Sequence, residues 1–282
     1  MVKIIADSTC DLSEELLKKY DISIIPLHIV LGDREYRDLT ELSPDEIYAW
    51  SEENKATPKT SAASIEDTIA VMQPLLDHGD EIIAFCISEQ MSTTGNIFRM
   101  VAEELDTSDR VSVIDSQNLS TGIGLLVIAA AEMAQDGRSR ADIVDQIEDM
   151  RKSVRASFVV DTLTYLHRGG RCSSVAAMAG SVLKLHPRIE VTEGKMEAGK
   201  KYRGKINSVI LDYVKDMEAG LKTARPDRVF ITHSGCEEAC IDAVREYLES
   251  LHHFNEILVT RAGGVISSHC GPGTLGVLYI SE

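Results

Sequence analysis

No apolar run in this 282-residue chain approaches the roughly 20 residues that a membrane-crossing helix requires. Residues Met1 to Asp7 lack a basic start followed by an apolar stretch and a small-residue cleavage site. No signal peptide and no stable membrane insertion are therefore expected, and the cytoplasm is the expected compartment. Paired cysteine motifs are missing too. Cys10, Cys86, Cys172, Cys236, Cys240 and Cys270 are scattered, with no Cys-x-x-Cys. Cys236 and Cys240 lie four apart on an expected helix, without a matching His or Cys pair nearby. Buried free thiols are expected rather than a zinc site. There is no Gly-x-x-x-x-Gly-Lys-Ser/Thr loop, no His-Glu-x-x-His and no Gly-x-Ser-x-Gly elbow, and Gly122-x-Gly124 is too short for a dinucleotide fingerprint. No cofactor is expected. An excess of positive charge is lacking as well. The net charge is −16, with 30 acidic and 14 basic residues through Phe158 and 15 of each from Val159 onward. Phosphate-backbone binding needs clustered Lys and Arg over a broad surface, so nucleic acid is excluded as a partner.

What is present is ordinary globular composition, 44% hydrophobic and 26% charged. The length suggests two domains with cores large enough to need no disulfide or metal staples. In the first half, strand and helix patterns alternate. Strands are expected at Val2–Ala6, Ile22–Val30, Glu81–Ile87 and Val111–Ile114. Helices are expected after Asp11, which can cap with Glu14 three residues on, and after Ser43, where Pro44 and Glu46 complete a capping box. Further helices are expected after Ser64 and at Asn96–Leu105, Gly122–Ala134 and Ala141–Val154. Such alternation implies a mainly parallel sheet covered on both faces. The second half reads as strands at Ser157–Asp161, at Arg188–Lys200 around Gly194, and at Arg228–Thr232, Ile257–Thr260 and Leu275–Ile280. Helices are expected there at Ser173–Leu183, Ile206–Leu221 and Glu237–Leu251. The expected architecture is α/β with two domains. An N-terminal, mainly parallel, three-layer α/β domain spans residues 1–158, and a C-terminal mixed α/β domain spans 159–282.

Ligands of open α/β sheets sit at the carboxyl ends of the strands. Hydroxyls recur at most of those exits: Asp7-Ser8-Thr9, Lys59-Thr60-Ser61, Ser88, Ser92-Thr93-Thr94-Gly95 and Asp115-Ser116. Each can be a helix cap. Together, converging on one crevice, they would make a cup of hydrogen-bond donors for a carboxylate or phosphate. The segment Gly263 to Thr274 reads as a Gly-rich turn presenting His269 among residues too small to bury it, which favours a functional histidine. His233-Ser234-Gly235 is a weaker case. The small-residue stretches Ala129–Ala131 and Ala176–Ser181 fit close helix packing or room for a ligand. Arg168, Arg171, Lys184, Arg188, Lys195, Lys200, Lys201, Arg203 and Lys205 cluster in sequence. They form either a solvated face or a landing patch for a phosphate or acidic partner. In chain order Ser92, Asp115 and His269 could also form a hydrolytic triad, which only distances can decide.

Taken together these segments resemble the DegV family. The matching boxes are Asp7-Ser8-Thr9-Cys10-Asp11-Leu12, Pro26-Leu27, Thr60-Ser61-Ala62-Ala63-Ser64, and Asp115-Ser116 with Ser120, Gly122 and Gly124. Leu166-His167-Arg168-Gly169-Gly170-Arg171, Gly199-Lys200 to Arg203-Gly204, and Ser268-His269-Cys270-Gly271-Pro272-Gly273-Thr274 follow in order. The resemblance spans Val2 to Ile280. It implies a lipid-binding carrier without catalysis of its own, holding one long-chain fatty acid between its two domains. It further implies presentation of the carboxylate to the separate ATP-binding subunit of a fatty acid kinase, in phospholipid metabolism. By resemblance Thr60 and Ser92 hold the carboxylate, Ser61 and Thr93 lie beside it, and His269 completes the network. Arg171 and Arg203 face the acyl phosphate or the kinase subunit. The chain departs from the family where Ser92-Thr93-Thr94-Gly95 replaces Ser-Gly-Thr-Tyr and where Ala62-Ala63 replaces Gln-Pro, which puts the head-group geometry in question. A Ser-His hydrolase acting on a small ester or acyl substrate is the alternative. A phosphotransfer enzyme with its own nucleotide site is weaker, for want of a phosphate loop.

Overall fold

The computed structural model describes residues 1–176 and 185–282. Its first half contains β1 (Val2–Asp7), α1 (Glu14–Lys19), β2 (Ile22–Ile25), β3 (His28–Leu31), β4 (Arg34–Arg37), α2 (Pro44–Asn54), β5 (Lys59–Ser61), α3 (Ile65–Asp77), β6 (Glu81–Cys86), α4 (Thr94–Glu104), β7 (Val111–Asp115), α5 (Thr121–Gln135) and α6 (Arg140–Met150). The second half contains β8 (Val154–Val159), α7 (Thr164–Gly169), α8 (Ser173–Ala176), β9 (Leu185–Thr192), β10 (Lys195–Arg203), α9 (Ile206–Asp216), α10 (Glu218–Leu221), β11 (Ala224–His233), α11 (Glu238–Ser250), β12 (Glu256–Arg261), α12 (Gly264–Cys270) and β13 (Leu275–Ser281). The helix expected at Ser173–Leu183 is described only to Ala176. Lys184 and residues 177–181 of the small-residue stretch lie outside the described residues.

Strands β2, β1, β6 and β7 form a parallel sheet in that order. Helices α3 and α4 cover one face, and α5 and α6 the other. The second sheet runs β10-β9-β8-β13-β11-β12, antiparallel except for the β11–β12 pair. Its outer face packs on α9, α10 and α11, and its inner face on α5. Helix α5 is therefore shared between the two sheets. Eleven of its fifteen residues are buried, which is what an apolar helix between two sheets requires. Alternation along β13 serves both faces. Leu275, Val277 and Tyr279 enter the outer core, while Leu278 and Ile280 join the large core around α5. All of β8 pairs in the second sheet, so a division by sheets falls before Val154, whereas the expected boundary at 158/159 lies inside the strand.

Of the local expectations that change, three bear on the site; elsewhere the helix expected at Ala141–Val154 ends at Met150 and the one expected at Ile206–Leu221 divides at Met217. Ile22–Val30 is not one strand. Pro26 cannot donate to a ladder, and the chain turns there, leaving β3 to pair antiparallel with β4 and β5 in a separate three-stranded sheet. Ser13, not Asp11, caps α1, accepting from Leu16 N at 3.3 Å. The Gly-rich segment near the end is not a turn throughout, because Gly264–Cys270 is the helix α12, packed on α2, β3, β5 and α7. The capping box at Ser43 and Glu46 forms as expected.

Candidate ligand site

A cavity of about 350 Å³ opens where the parallel strands end. Its polar lining comes from β5 and the loop before α4, as Thr60, Ser61, Gln90, Ser92 and Thr93, with His269 on α12 and Arg171 opposite. Leu27, Ile87, Met91, Leu119, Met196, Val265, Ile266 and Cys270 supply apolar wall. Glu89, the acidic residue in the lining, is paired with Arg99 Nη2 at 2.6 Å. Of the seven sequence candidates, Thr60, Ser61, Ser92, Thr93, His269 and Arg171 meet here. Arg203 is exposed at the end of β10, outside the cavity. Ser8, Thr9 and Ser116 do not belong to the cup. Ser8 Oγ donates to Asp38, Thr9 Oγ1 to Asp7 and Ser116 Oγ to Asn118 O, all away from the cavity.

Asp11 and Asp38 set the position of α12. Asp11 Oδ1 accepts from Gly263 N at 2.8 Å, and Asp38 Oδ1 from Gly264 N at 2.8 Å. Two carboxyl groups from the first half thus hold the start of the helix that carries His269, each accepting from an N–H that the helix leaves free. Asp11 reaches there from a left-handed backbone (φ 52°) and also accepts from Ser120 Oγ at 2.5 Å. Burial pushes Asp11 up to about 8 and Asp7 up to about 6, and raises Asp38.

His269 Nε2 lies 2.8 Å from Thr60 Oγ1. Its Nδ1 is buried without a partner against Gly169, where a Cβ would come within 2.3 Å of that atom. Burial, helped by the positive charge of Arg171, pushes the imidazole down to about 4, so the ring is neutral near pH 7. A buried N–H without an acceptor is the rarer arrangement, which assigns the single hydrogen to Nε2. Thr60 then accepts from His269, and its own hydroxyl hydrogen is free for the cavity. Helix α7, ending at Gly169, covers the Nδ1 edge of the ring, while the residue as a whole stays half-buried on the cavity wall.

The other hydroxyls differ. Ser92 Oγ accepts from Thr94 N at 3.3 Å and shares a 2.9 Å bond with Thr94 Oγ1. Ser61 donates to Glu35 at 3.2 Å, and Thr93 is exposed on the rim with an unstrained backbone (φ −94°). Arg171 is exposed and donates to Gly169 O at 2.7 Å. The triad does not assemble. Asp115 Oδ1 accepts from the Glu89 and Gln117 amides, His269 bonds Thr60 and Ser92 bonds Thr94.

A second, narrow chamber of about 30 Å³ shares Leu119, Ile266 and Cys270 with the first. Phe158, Ala262, Gly276 and Leu278 line it with Ser120, Thr232, His233, Ser234 and Thr274. Those hydroxyls are all engaged elsewhere. Ser120 donates to Asp11 and Ser234 to Gly271 O. Thr274 donates to Cys270 O, and Thr232 bonds Thr121 and Thr260. His233 Nδ1 accepts from Gly235 N and Cys236 N. What remains facing the chamber is mostly carbon. Sequence reasoning did not find these apolar walls. Their one signal was that Leu27, Leu119, Ile266 and Cys270 stand within or beside the hydroxyl boxes.

A chamber with polar lining beside a smaller apolar one, the two sharing three wall residues, outlines in this α/β protein a cleft suited to an amphipathic ligand. The family model described as uncharacterised protein, DegV family, matches residues 1–282, and the chain belongs to the DegV family. A DegV domain-containing protein of Caldanaerobacter subterraneus is 31% identical over 280 residues, covering 99% of this chain and 98% of the relative. A DegV family protein from Thermus thermophilus, described by its fatty acid binding, superposes with a TM-score of 0.91 at 32% identity, covering 100% of this chain and 99% of that one. A stearic acid-binding protein from Eubacterium ventriosum superposes at 0.86 with 28% identity, covering 100% of this chain and 98% of that one. Among the described residues no helix is long and apolar enough to cross a membrane.

Proposed function

We propose that the chain binds one long-chain fatty acid and presents its carboxylate to a separate, ATP-using kinase subunit. The observation that carries this reading is that a chamber with polar lining shares Leu119, Ile266 and Cys270 with an apolar one. The carboxylate sits in the outer chamber, facing the free hydrogen of Thr60, with Ser92 and Arg171 nearby. The tail passes Leu119, Ile266 and Cys270 into the inner chamber. Each buried methylene contributes about 0.8 kcal/mol. A carboxylate leaving water is costly unless hydrogen-bonded, and bonds to a charged acceptor are the stronger kind. The neutral His269 keeps Thr60 oriented without adding a cation.

In this reading the protein is a cytoplasmic carrier without turnover of its own. Arg203, outside the cavity and exposed, meets the partner rather than the acid. Native mass spectrometry with solvent extraction tests the first half of the proposal: one fatty acid per chain is expected, and a protein that is empty and refuses added oleate rules it out. For the second half, Arg203→Ala is expected to slow acyl phosphate formation with the kinase subunit while fatty acid affinity stays within about twofold, as for a contact outside the cavity. Equal loss of both would return Arg203 to a ligand-facing or structural role.

A further inference from the structure

The geometry points to Ser88 as a positioning residue: through Gly194 it latches the β9–β10 hairpin across the outer chamber, and ligand exchange requires that latch to open. This inference rests on the fatty-acid reading above. Strand β9 pairs with β8 only through Arg188, Ile189 and Glu190. Past Glu190 the hairpin pairs with itself alone, through a left-handed turn at Glu193 and Gly194 (φ 48° and 79°) to Met196. This overhang leaves its own sheet and reaches the loop after β6. There the buried Ser88 hydroxyl donates to Gly194 O at 2.7 Å and accepts from Gln90 N at 3.2 Å. The Ser88–Gly194 bond is the one hydrogen bond, among the described residues, between the hairpin and the first half. The seat is tight, since a Cβ on Gly194 would stand 2.5 Å from Ser88 Oγ. Two residues further on, buried Met196 lines the outer chamber. At the hairpin's base β10 loses register between Ala198 and Lys201, a bulge of the kind that lets a strand bend. The hairpin is thus a strap with a bendable base and one polar fastening to the first half, its return strand being held on the other side by Cys172 Sγ to Met196 O at 3.4 Å and Ala198 N to Ser174 Oγ at 2.9 Å, and it carries a flexible methionine over the cavity.

Stopped-flow exchange of bound cis-parinaric acid against excess oleate tests the latch. Removing one buried neutral hydrogen bond in Ser88→Ala is expected to speed both release and uptake by about five- to tenfold, leaving Kd within about twofold. Gly194→Ala is expected to do the same by colliding with the Ser88 hydroxyl. The Ser88→Ala/Gly194→Ala pair should be no faster than Gly194→Ala alone, and Ser88→Thr, which keeps the hydroxyl, should stay near the wild-type rate. Unchanged release in both single variants overturns the inference, and so does faster release with unchanged uptake, which would make Ser88 a contributor to the bound state only. Hydrogen exchange of the ligand-free protein separates the latch from the fatty-acid reading. Ser88→Ala should raise exchange at Val191–Met196 whether or not any acid binds, and equal exchange would sink the latch. Faster exchange in a protein that never binds parinaric acid would sink the fatty-acid reading alone.

Discussion

The outer and inner chambers are lined by similar residue types and present opposite surfaces. Around the outer one, the hydrogen assigned to His269 Nε2 makes Thr60 the acceptor of their 2.8 Å bond and leaves the threonine's own hydrogen free. Around the inner one, Ser120, Ser234 and Thr274 give their hydrogens to Asp11, Gly271 O and Cys270 O, which leaves methyl and backbone carbon facing inward. Side-chain chemistry alone does not decide whether a serine or threonine makes a wall polar. The position of its nearest acceptor does.

The largest test of this contrast is a chain-length series. From octanoate to palmitate, affinity should rise about three- to fourfold for each methylene that leaves water, and level off once the small inner chamber is filled. A flat series by calorimetry would show that the tail stays in water and would remove the inner chamber from the site. Next comes the head group. Thr60→Val is expected to weaken oleate binding by about ten- to a hundredfold, the loss of a hydrogen bond to a charged acceptor. His269→Ala should weaken it somewhat less, and the double variant should match Thr60→Val, because His269 acts through Thr60. Additive losses would mean that His269 touches the carboxylate itself.

Stability against pH probes the buried groups around the same helix. The His269 pKa falls from 6.5 unfolded to about 4 folded, so its contribution is present above pH 6.5 and is lost as pH falls toward 4. The Asp11 pKa rises from 3.8 to about 8, so its contribution is present below pH 3.8 and is lost as pH rises through 8. Melting temperatures should therefore decline between pH 6.5 and 8, and Asp11→Asn should flatten that decline. Between pH 4 and 6.5 the two groups oppose each other, and His269→Gln should steepen the fall. An unaltered profile in either variant would mean that the group titrates elsewhere. The smallest effect is expected from Thr274→Val. It should cost about 1 kcal/mol of stability as an internal hydrogen bond is lost, yet shift oleate affinity less than about twofold. A larger change in affinity would place a polar contact in the inner chamber.

Much of this was legible in the residues. Apolar runs and caps gave the alternating first half, the Ser43 capping box, the helix at Gly122–Ala134 and the hydroxyl boxes at the strand exits. Patterns of this kind act within about one turn or one strand. What escaped depends on partners far apart in the chain. Asp11 looked like a cap for the next helix and instead holds one that begins 253 residues later. Ser8, Thr9 and Ser116 looked like cup members and instead brace the frame. The three-stranded sheet was hidden because β4 is short and mostly exposed, with no alternating apolar signal. The apolar walls were hidden because a wall is a property of packing between segments and not of any one of them.

The place of β13 in its sheet has a consequence for how the protein is made. This strand, Leu275–Ser281, lies between β8 and β11, and α12 just before it supplies His269. A growing chain therefore carries two unsatisfied strand edges, and an incomplete ligand cavity, until residues 264–281 emerge. Exposed edges of that kind attract other chains. During synthesis β8 and β11 must be kept apart from other strands, and the cavity becomes competent only at the moment that danger ends.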